Sequence, residues 1–520
     1  MKLSELIQGV ELLHFEGDLS GEVSSVCYDS RWCTKDSLFV AIPGLKLDGH
    51  RFVPQALKQG SRFILCESPV EAPAGVTVLR VKNSRQALGI VGKNFFRNPS
   101  SALCLVGVTG TNGKTTITYL LESIFRQAGY SPGVIGTINY RYGSKVREAA
   151  HTTPESLDLQ GMLREMLDAG VSHVVMEVSS HALDQQRVDD CEFDAGIFTN
   201  LSQDHLDYHQ TLEAYFQAKR RFFSEVLGQR IKGRKQAMII NGDDPFGRRI
   251  LQEMQPSQVL SFGLEGSCDI GAAGFSFSLE GIDAEIRTPR GTFPVKAPLV
   301  GRYNLYNTLA AAAAAHALDI ESRAVQAGLL NLGTIPGRLE KISVTGEPAV
   351  FVDYAHTEDA LKKVIENLLP FKKARLITVF GCGGDRDRGK RPLMGRAVVT
   401  RSDLSILTSD NPRTEDPLAI LRQIEEGVEK ESVTKYAIRD VRKGFDGKGY
   451  VVIPDRREAI REAIKLAGPE DIVLVAGKGH EPYQIIGTEK FPFDDRDECR
   501  EALKACGYGR GRWKKSLSRS

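Results

Sequence analysis

The segment of this chain most able to do chemistry is a glycine-rich run over residues 107–116. It reads Gly107-Val-Thr-Gly-Thr-Asn-Gly-Lys-Thr-Thr116, follows an apolar run and precedes a helical pattern. Glycines let backbone N–H groups close around phosphate oxygens, and a helix N-terminus adds partial positive charge. In such a loop Lys114 would reach the terminal phosphates and the Thr115 hydroxyl would bind Mg²⁺. The segment predicts nucleotide binding, although Val108 stands where the common phosphate loop has glycine.

A second apolar run, residues 173–181, carries a carboxylate at Glu177. A buried charge is costly unless it is paired or bound to a metal ion. Mg²⁺ beside a nucleotide prefers oxygen ligands, so Glu177 is a candidate ligand. A carboxylate exposed to solvent at a strand end explains the pattern equally well.

A polar loop follows, Asp204-His-Leu-Asp-Tyr-His209. It places Asp204, His205 and Asp207 within four positions and adds His209. Such a concentration of ionisable groups is more typical of a site than of a solvated loop.

The next helical pattern, residues 212–223, places a lysine on its apolar face. Tyr215 and Phe223 lie four positions on either side of Lys219. Desolvation lowers the pKa of an inward-facing lysine, and a neutral amine can react with CO₂ to give a carbamate, an anionic oxygen ligand. The spacing alone favours the alternative, a lysine whose stem packs while its ammonium reaches water.

Composition and length restrict the class of protein. The chain has 520 residues, 41% of them apolar and 26% charged, which indicates a globular protein of about three domains. Its net charge of +2 argues against nucleic acid as the main partner. We see neither a signal peptide nor an apolar run long enough to insert in a membrane. The nine cysteines are scattered, which predicts reduced thiols in the cytoplasm.

Alternating strand and helix patterns predict an α/β fold with mostly parallel sheets. We expect a small N-terminal α/β domain over residues 1–98 and a central domain with the glycine loop over 99–336. A doubly wound, Rossmann-like domain is expected over 337–520, with its sites beyond the carboxyl ends of its strands. The last dozen residues, 509–520, carry five basic side chains and are more typical of a disordered tail than of a binding arm.

Six motifs in order give the chain a resemblance to a known family. They are Gly110-Thr-Asn-Gly-Lys-Thr115, Glu177-Val-Ser-Ser180, Asp204-His-Leu-Asp-Tyr-His209, Asn304-Leu-Tyr-Asn307, Gly337-Arg-Leu-Glu340 and Asp353-Tyr-Ala-His356. With them the chain resembles the Mur ligases, ATP-dependent enzymes that add amino acids during bacterial cell-wall synthesis. The resemblance covers nearly the whole chain and implies a UDP-sugar-binding domain, a central ATPase and a C-terminal domain for the incoming amino acid.

The resemblance assigns roles around ATP and Mg²⁺. It implies ATP-binding residues Gly110, Thr111, Asn112, Gly113, Lys114, Thr115, Thr116, Asn304, Asn307, Arg338, Asp353 and His356. Lys114, Glu177, His205 and Lys219 would be catalytic, and Thr115, Glu177, His205 and Lys219 would hold Mg²⁺. Lys219 matches a lysine that is carbamylated in the family (N6-carboxylysine), which reverses the preference from spacing alone. Glu358 stands where the family often has proline, which we expect to alter only a helix start.

Within the family, the chain is most similar to members that add meso-2,6-diaminopimelate to UDP-N-acetylmuramoyl-L-alanyl-D-glutamate. The resemblance places the UDP-sugar peptide on Ser30, Thr152, Thr153, Ser179, Gln185 and Arg187. It places diaminopimelate on Arg386, Asp410, Asn411, Pro412, Arg413, Gly477 and Glu481. A planar arginine fork at Arg413 suits the second carboxylate that distinguishes diaminopimelate from lysine. Glu481 would pair with the distal ammonium of the substrate.

The implied reaction forms an acyl phosphate from ATP and the D-glutamyl carboxylate, and the amine of diaminopimelate then displaces phosphate. We expect a cytoplasmic monomer. The alternatives are an L-lysine-adding Mur ligase, a folylpolyglutamate synthase, a nucleotide switch or kinase of the phosphate-loop class, and an inert relative that only binds. Arg413 disfavours the first two, and the turn at 410–413 is unexplained by the third.

Overall fold

The computed structural model describes residues 1–44, 47–227, 232, 236–254, 259–344, 346–444 and 447–508. The basic segment 509–520 lies outside the described residues. The chain is an α/β protein with three large, mostly parallel sheets, as the sequence predicts. Each sheet takes its strands from one of the three expected domains, whose boundaries at residues 98 and 336 stay predictions.

The N-terminal sheet has the strand order β1-β5-β4-β3-β2, with β1 antiparallel to β5 and the other pairs parallel. Its strands are β1 (Leu12–Glu16), β2 (Val26–Cys27), β3 (Leu38–Val40), β4 (Phe63–Cys66) and β5 (Thr77–Val81). The helices are α1 (Leu3–Leu6), α2 (Val53–Lys58) and α3 (Ser84–Phe95). Apolar residues fill β3 and β4, which are buried along their length because helices cover a parallel sheet on both faces.

The central sheet has the order β13-β12-β11-β6-β10-β7-β8-β9, and β8 and β9 run antiparallel to their neighbours. Its strands are β6 (Cys104–Thr109), β7 (Pro132–Ile135), β8 (Asn139–Tyr142), β9 (Lys145–Glu148), β10 (His173–Glu177), β11 (Ala195–Phe198), β12 (Ala237–Asn241) and β13 (Val259–Phe262). An antiparallel sheet of β14 (Gly271–Ser278), β15 (Gly281–Thr288) and β16 (Gly291–Ala297) follows.

The helices of this central part cover the sheet on both faces. They are α4 (Lys114–Gln127), α5 (Ser156–Asp168), α6 (Ser180–Asp184), α7 (Leu206–His209), α8 (Leu212–Arg221), α9 (Pro245–Glu253), α10 (Arg302–Ala317) and α11 (Ser322–Leu330). The alanine run 310–315 in α10 is buried throughout. Small side chains on every side let α10 pack closely against the apolar core that includes α4 and β15.

The C-terminal sheet has the order β17-β18-β23-β19-β20-β22-β21, with β17 antiparallel to β18. Its strands are β17 (Glu340–Lys341), β18 (Ala349–Asp353), β19 (Leu376–Phe380), β20 (Leu404–Leu407), β21 (Thr434–Lys435), β22 (Gly449–Val452) and β23 (Ile472–Ala476), followed by a hairpin of β24 (Tyr483–Ile486) and β25 (Glu489–Pro492). The helices are α12 (Glu358–Leu368), α13 (Lys390–Val399), α14 (Pro417–Val428), α15 (Ile438–Val441), α16 (Arg456–Leu466) and α17 (Asp495–Ala505).

Strand register brings the chemically interesting residues to one edge of the central sheet. Glu177 at the end of β10 pairs with Val108 in β6, and Phe198 at the end of β11 pairs with Thr109. Because parallel strands end at the same edge, the glycine loop, Glu177 and the segment after Phe198 converge there. None of the helices in the described part of the chain has the length and apolar character needed to cross a lipid bilayer.

Two cysteines differ from the expectation of reduced thiols. Cys27 and Cys33 form a disulfide with their Cα atoms 5.8 Å apart. The chain between the pair turns back through Ser30, so both side chains enter the same small apolar cluster. The prediction of uniformly reduced thiols is therefore wrong for this pair.

Candidate active site

The glycine loop lies between β6 and α4, so the predicted order of strand, loop and helix is confirmed. Gly110 and Gly113 have positive φ values of +142° and +93°. A Cβ atom at Gly110 would lie 1.9 Å from Thr199 Oγ1, and one at Gly113 would lie 2.3 Å from Asn307 Oδ1. Both the backbone conformation and the close approach therefore require glycine at these positions.

The segment after β11 holds the loop in place. The Thr111 N–H donates to the Asn200 carbonyl at 2.8 Å, and the Asn112 N–H donates to Asn200 Oδ1 at 3.1 Å. The Thr199 hydroxyl donates to the Asn112 carbonyl at 2.7 Å. The loop is therefore preformed, and it leads directly into the N-terminus of α4, where amide groups favour phosphate.

Two lysines converge on a single carbonyl of the loop. Lys114 Nζ and Lys219 Nζ each lie 2.9 Å from the Gly110 carbonyl oxygen, and Lys114 also donates to the Thr111 carbonyl. Lys219 is 1% exposed, and its amine lies 4.7 Å from the centre of the Tyr215 ring. Burial lowers the pKa of Lys114 and lowers the pKa of Lys219 well below its usual value. The arrangement therefore brings two amines of lowered pKa to the phosphate loop, and the pKa of Lys219 is well below its usual value.

The expectation from spacing alone, that Lys219 reaches water, is wrong. The Gly110 carbonyl supplies a partner inside the protein, and the aromatic face of α8 packs into the core, so the amine stays buried. Carbamylation of Lys219 remains a prediction.

Glu177 is buried at the end of β10, with 1% of its surface exposed. Its Oε1 atom accepts hydrogen bonds from the Thr115 hydroxyl and the Thr137 N–H, both at 2.9 Å. Its Oε2 atom accepts from the Thr137 hydroxyl at 3.0 Å. The alternative of a solvent-exposed carboxylate is therefore wrong, and the carboxylate is fixed beside the hydroxyl that would bind Mg²⁺.

The polar loop 204–209 divides between cavity and core. Asp204 and His205 face the cavity, with 3.6 Å between Asp204 Oδ2 and His205 Nε2. Desolvation lowers the pKa of His205 to about 4, so its imidazole is neutral at pH 7. His209 is buried instead, with Nε2 2.9 Å from the Ser180 hydroxyl oxygen. The loop therefore offers one carboxylate and one neutral imidazole to a ligand.

A cavity of about 920 Å³ lies between the central and C-terminal sheets. Most of the residues predicted to bind ATP, Mg²⁺ or the UDP-sugar peptide line it: Thr111, Asn112, Gly113, Lys114, Thr115, Thr116, Thr152, Thr153, Glu177, Ser179, Gln185, Arg187, His205, Lys219, Asn304, Asn307, Arg338, Asp353 and His356. Gly110 is not among the residues that line the cavity, but its carbonyl accepts hydrogen bonds from Lys114 and Lys219, which do line it. Ser30 is buried and donates to Gln55 Oε1 at 3.0 Å, outside the lining of this cavity.

The C-terminal part contributes one arginine directly to the phosphate loop. Arg338 Nη2 lies 3.1 Å from Thr115 Oγ1, and its guanidinium stacks over Tyr354 at 4.8 Å. Asp353 is buried and accepts hydrogen bonds from the amides of Leu339 and Ala355, so it shapes the turn that carries Arg338. Burial raises the pKa of Asp353.

Two asparagines of α10, Asn304 and Asn307, line another part of the cavity wall. Asn307 Nδ2 donates to Asn304 Oδ1 at 3.0 Å, and Asn304 Nδ2 donates to the Val300 carbonyl at 3.0 Å. The side chains are therefore oriented by one another, close to Gly113. His356 sits in the cavity wall just beyond β18.

The residues predicted to hold the peptide are linked to Glu177. The Thr153 hydroxyl donates to the Glu177 carbonyl at 2.8 Å and accepts from the Ser179 N–H at 3.0 Å. Arg187 donates to the Thr153 carbonyl at 2.9 Å and to Gln185 Oε1 at 2.7 Å. These groups form a polar wall beside the metal candidates, with Thr152 bonded to Thr137 through their hydroxyls.

The residues predicted to bind diaminopimelate lie together at the carboxyl ends of β19, β20 and β23, apart from the residues that line the cavity, and this group is called the C-terminal pocket. Gly384 N–H donates to the Asn411 carbonyl at 2.9 Å, and Asn411 Nδ2 donates to Glu481 Oε2 at 2.8 Å. A Cβ atom at Gly477 would lie 2.6 Å from Asp410 Oδ2. The structure therefore brings together all three predicted segments of this pocket.

The two arginines of this pocket differ in their anchoring. Arg413 has a positive φ of +51°, and its Nη1 donates to the Gly384 carbonyl at 2.7 Å. The backbone N–H of Arg413 donates to the Ile485 carbonyl at 3.1 Å, which joins the turn after Pro412 to the hairpin of β24 and β25. Arg386 is exposed and bonds to the neighbouring Asp385 carbonyl. Arg413 is therefore the fixed cation and Arg386 the exposed one.

Sequence reasoning missed some residues that organise these sites. Thr137 follows β7 and supplies two hydrogen bonds to Glu177. Its place just past a strand that neighbours β10 is a signal that topology would have revealed. Lys478 is fully buried in the C-terminal pocket, and Asp359 of α12 accepts from the Ser202 hydroxyl at 2.6 Å, which links α12 to the segment after β11. For these two, no local pattern singles out the residue.

Comparisons with known proteins agree with this geometry. The Mur ligase middle domain model matches residues 108–315, the Mur ligase, glutamate ligase domain model matches 337–479, and the Mur ligase family, catalytic domain model matches 22–96.

Individual relatives match over almost their whole length. UDP-N-acetylmuramoyl-L-alanyl-D-glutamate--2,6-diaminopimelate ligase of Geobacter metallireducens is 46% identical, over 97% of this chain and 98% of its own. The protein of the same name from Geobacter sulfurreducens is 44% identical, over 98% of this chain and 100% of its own. A solved structure of an enzyme with this name is 32% identical, covers 98% of this chain and 99% of its own, and superposes with a TM-score of 0.69. With a phosphate loop, a buried lysine and a carboxylate joined in one cavity, and with matches of this extent, the chain belongs to the Mur ligase family.

Proposed function

We propose that this chain is an ATP-dependent ligase that joins meso-2,6-diaminopimelate to UDP-N-acetylmuramoyl-L-alanyl-D-glutamate through an amide bond. One observation carries the proposal: the phosphate loop and the polar wall around Arg187 line the same cavity, so a nucleotide and a second substrate can meet there. The names of the near full-length relatives supply the identity of the substrates. We also propose that it acts as a cytoplasmic monomer in peptidoglycan synthesis.

The nucleotide end of the cavity suits ATP. The glycine loop and the start of α4 would surround the phosphates with amide groups. Lys114 and Arg338 would add positive charge where the γ-phosphate is transferred, and fixed charges of this kind account for much of the acceleration of phosphoryl transfer. Asn304 and Asn307 would contact the nucleotide from α10.

The residues proposed for Mg²⁺ are chemically suited to it. Thr115 offers a hydroxyl, Glu177 a fixed carboxylate and His205 a neutral imidazole. The lowered pKa of Lys219 favours the free amine, which takes up CO₂ and releases one proton to become an anionic carbamate. When bound, Mg²⁺ would neutralise the charge of the phosphates.

The proposed chemistry has two steps. A carboxylate oxygen of the D-glutamyl residue attacks the γ-phosphorus of ATP, the bond to ADP breaks, and an acyl phosphate forms. The amine of diaminopimelate then attacks the acyl carbon, phosphate leaves, and the nitrogen loses a proton. Arg187 and Thr153 would orient the peptide for the first step, and the walls of the cavity would exclude water that could hydrolyse the acyl phosphate.

The amino-acid pocket favours diaminopimelate over L-lysine. Arg413 is fixed by Gly384 with its guanidinium in the pocket wall, where it would bind the second carboxylate of diaminopimelate through two parallel hydrogen bonds. L-Lysine lacks this carboxylate and would leave the cation unpaired, which is costly in a partly buried site.

The test compares the two amino acids directly. Phosphate release from ATP is measured with UDP-N-acetylmuramoyl-L-alanyl-D-glutamate and either diaminopimelate or L-lysine, and the product is weighed by mass spectrometry. We expect strong stimulation and a new amide with diaminopimelate alone. Preference for L-lysine would refute the pocket assignment, and phosphate release indifferent to both would refute the ligase.

A further inference from the structure

Lys478 is a fully buried lysine in the wall of the C-terminal pocket, with none of its surface exposed. Its Nζ atom donates to Asn411 Oδ1 at 3.0 Å and to Glu481 Oε2 at 3.1 Å. A buried ammonium is costly unless it is paired, so this contact to a carboxylate is the main compensation for its charge.

The contacts form a closed triangle. Asn411 Nδ2 donates to the same Glu481 Oε2 atom at 2.8 Å, and Asn411 Oδ1 also accepts from the Ile485 N–H at 2.9 Å. The amide orientation of Asn411 is therefore fixed by three partners. Both hydrogen bonds that Glu481 accepts from described residues end on Oε2, which leaves Oε1 for a ligand, and 19% of its side chain is exposed.

The triangle changes the charge that a substrate meets. Glu481 alone would attract any side chain that ends in an ammonium, including that of L-lysine. With the Lys478 ammonium 3.1 Å away, the pair is nearly neutral. Asp410 is buried near Arg456, and Arg386 is exposed. Arg413 is therefore the cation fixed in the pocket wall, where it attracts a carboxylate and repels a lone ammonium.

We propose that Lys478 is a positioning and specificity-determining residue, which neutralises Glu481 so that the pocket selects amino acids carrying a distal carboxylate beside the distal ammonium. This inference rests on the proposed function. It assigns discrimination between diaminopimelate and L-lysine partly to a residue that touches neither of them. Rejection of the wrong substrate by an adverse charge balance is as effective as added attraction for the right one.

The test uses the full-length protein and measures kcat and KM for both amino acids. Lys478→Gln keeps a hydrogen-bond donor and removes the charge, so Glu481 becomes an uncompensated carboxylate. We expect the ratio of kcat/KM for diaminopimelate to that for L-lysine to fall about tenfold, mainly through a lower KM for L-lysine. Lys478→Arg keeps the charge and should keep the ratio close to that of the wild type.

Arg456→Lys is the matched control. Arg456 is buried beneath the same strand ends, pairs with Asp495 at 2.7 Å and donates to the Ala476 carbonyl. Its replacement should lower the melting temperature and affect both amino acids by the same factor. If Lys478→Gln behaves in this way, or leaves the ratio unchanged, the residue is merely structural and the inference is overturned.

A second variant covers the case in which Lys478→Gln does not fold. Glu481→Gln leaves Lys478 as an uncompensated cation, so the ratio should rise, because this cation repels the distal ammonium of L-lysine while diaminopimelate still has Arg413 for its carboxylate. A fall in the ratio would overturn the inference. If the wild-type protein ligates diaminopimelate but the variants leave the ratio unchanged, this inference alone is refuted. If the wild-type protein ligates neither amino acid, the proposed function is refuted and this inference with it.

Discussion

The central cavity and the C-terminal pocket hold their charged side chains in opposite ways. In the central cavity the hydrogen-bond partners of Glu177 and Lys219 are neutral groups. The Glu177 carboxylate accepts from the hydroxyls of Thr115 and Thr137 and from one amide, and the Lys219 amine donates to the Gly110 carbonyl. Because neutral partners fix the Glu177 carboxylate without cancelling its charge, its full electrostatic effect is kept for a ligand, and no carboxylate holds a proton on the Lys219 amine through the hydrogen bond it donates.

In the C-terminal pocket the buried cations Lys478 and Arg456 are paired with carboxylates, whereas the Arg413 guanidinium donates to the Gly384 carbonyl. Lys478 and Glu481 lie 3.1 Å apart, and the deeper Arg456 and Asp495 form a fully buried ion pair at 2.7 Å. Paired charges present a weak field, so the pocket is suited to a zwitterionic amino acid, whereas the central cavity is suited to phosphates and a divalent cation. The difference teaches that two buried lysines of one chain can have unlike chemistry according to whether the partner is a carbonyl or a carboxylate.

The largest effect on activity should come from substitution of Lys219, which tests most directly the difference between the central cavity and the C-terminal pocket. We expect Lys219→Gln to lower kcat about 10³-fold, since it removes the proposed carbamate from the phosphate site. Lys219→Arg should be equally inactive, because a guanidinium stays protonated and does not take up CO₂. Lys478→Arg, the parallel change in the other region, should keep activity within about threefold. Rates of phosphate release for the three variants test the difference.

A direct observation separates the carbamate from a role of charge alone. Wild-type protein in ¹³C-bicarbonate should show a carbamate carbonyl signal by NMR that is missing from Lys219→Gln. If Lys219→Arg were as active as the wild type, a cation would suffice and the contrast with Lys478 would disappear.

Much of this central region could be predicted from the sequence, because its signals are local. The glycine loop follows from its spacing, and the inward position of Lys219 follows from helical periodicity with Tyr215 and Phe223. The burial of Lys219 could not be predicted, because its partner is the carbonyl of Gly110, 109 positions earlier. Spacing shows which face a lysine occupies but not what it meets there.

The C-terminal pocket was less predictable for the same reason. Arg413 stood out through its turn and the resemblance. Lys478 did not, since its contacts to Asn411 join strand ends 67 positions apart. Ser30, expected to hold the UDP-sugar peptide, donates to Gln55 of the N-terminal part, and no local pattern indicates that contact.

The next effect is on stability and comes from His209, which lies near Lys219. Burial lowers the pKa of His209 to about 4, so below about pH 6.5 the unfolded chain binds a proton that the folded chain does not. The free energy of unfolding should therefore fall as pH falls from 6.5 to 4, by about 1 kcal/mol per pH unit for this group. Urea denaturation at several pH values measures the slope.

His209→Asn is the control for this pH dependence. It keeps a side-chain donor for the Ser180 hydroxyl and removes the titrating group, so the slope should become shallower. An unchanged slope would mean that the surroundings of His209, near Lys219, do not disfavour a positive charge. It would then contradict the description of the central cavity as a place where buried amines lose their proton.

The smallest effect on activity should come from substitution of Thr137, which tests whether several neutral groups hold Glu177. Thr137→Val removes the hydroxyl that donates to Glu177 Oε2 and keeps the backbone amide that donates to Oε1. One hydrogen bond is worth about 0.5–1.5 kcal/mol, so kcat should fall roughly two- to tenfold. KM for the amino acid should stay constant, because the change lies in the other region.

Thr137→Ser, which restores the hydroxyl, should recover most of the rate. If Thr137→Val instead lowers kcat as strongly as Lys219→Gln, Glu177 depends on this one donor and is not held by several neutral groups. If Thr137→Val raises KM for diaminopimelate, the two regions are coupled through more than the shared substrate. The first result would show that the field of Glu177 is set by a single contact, as that of Glu481 is set by Lys478.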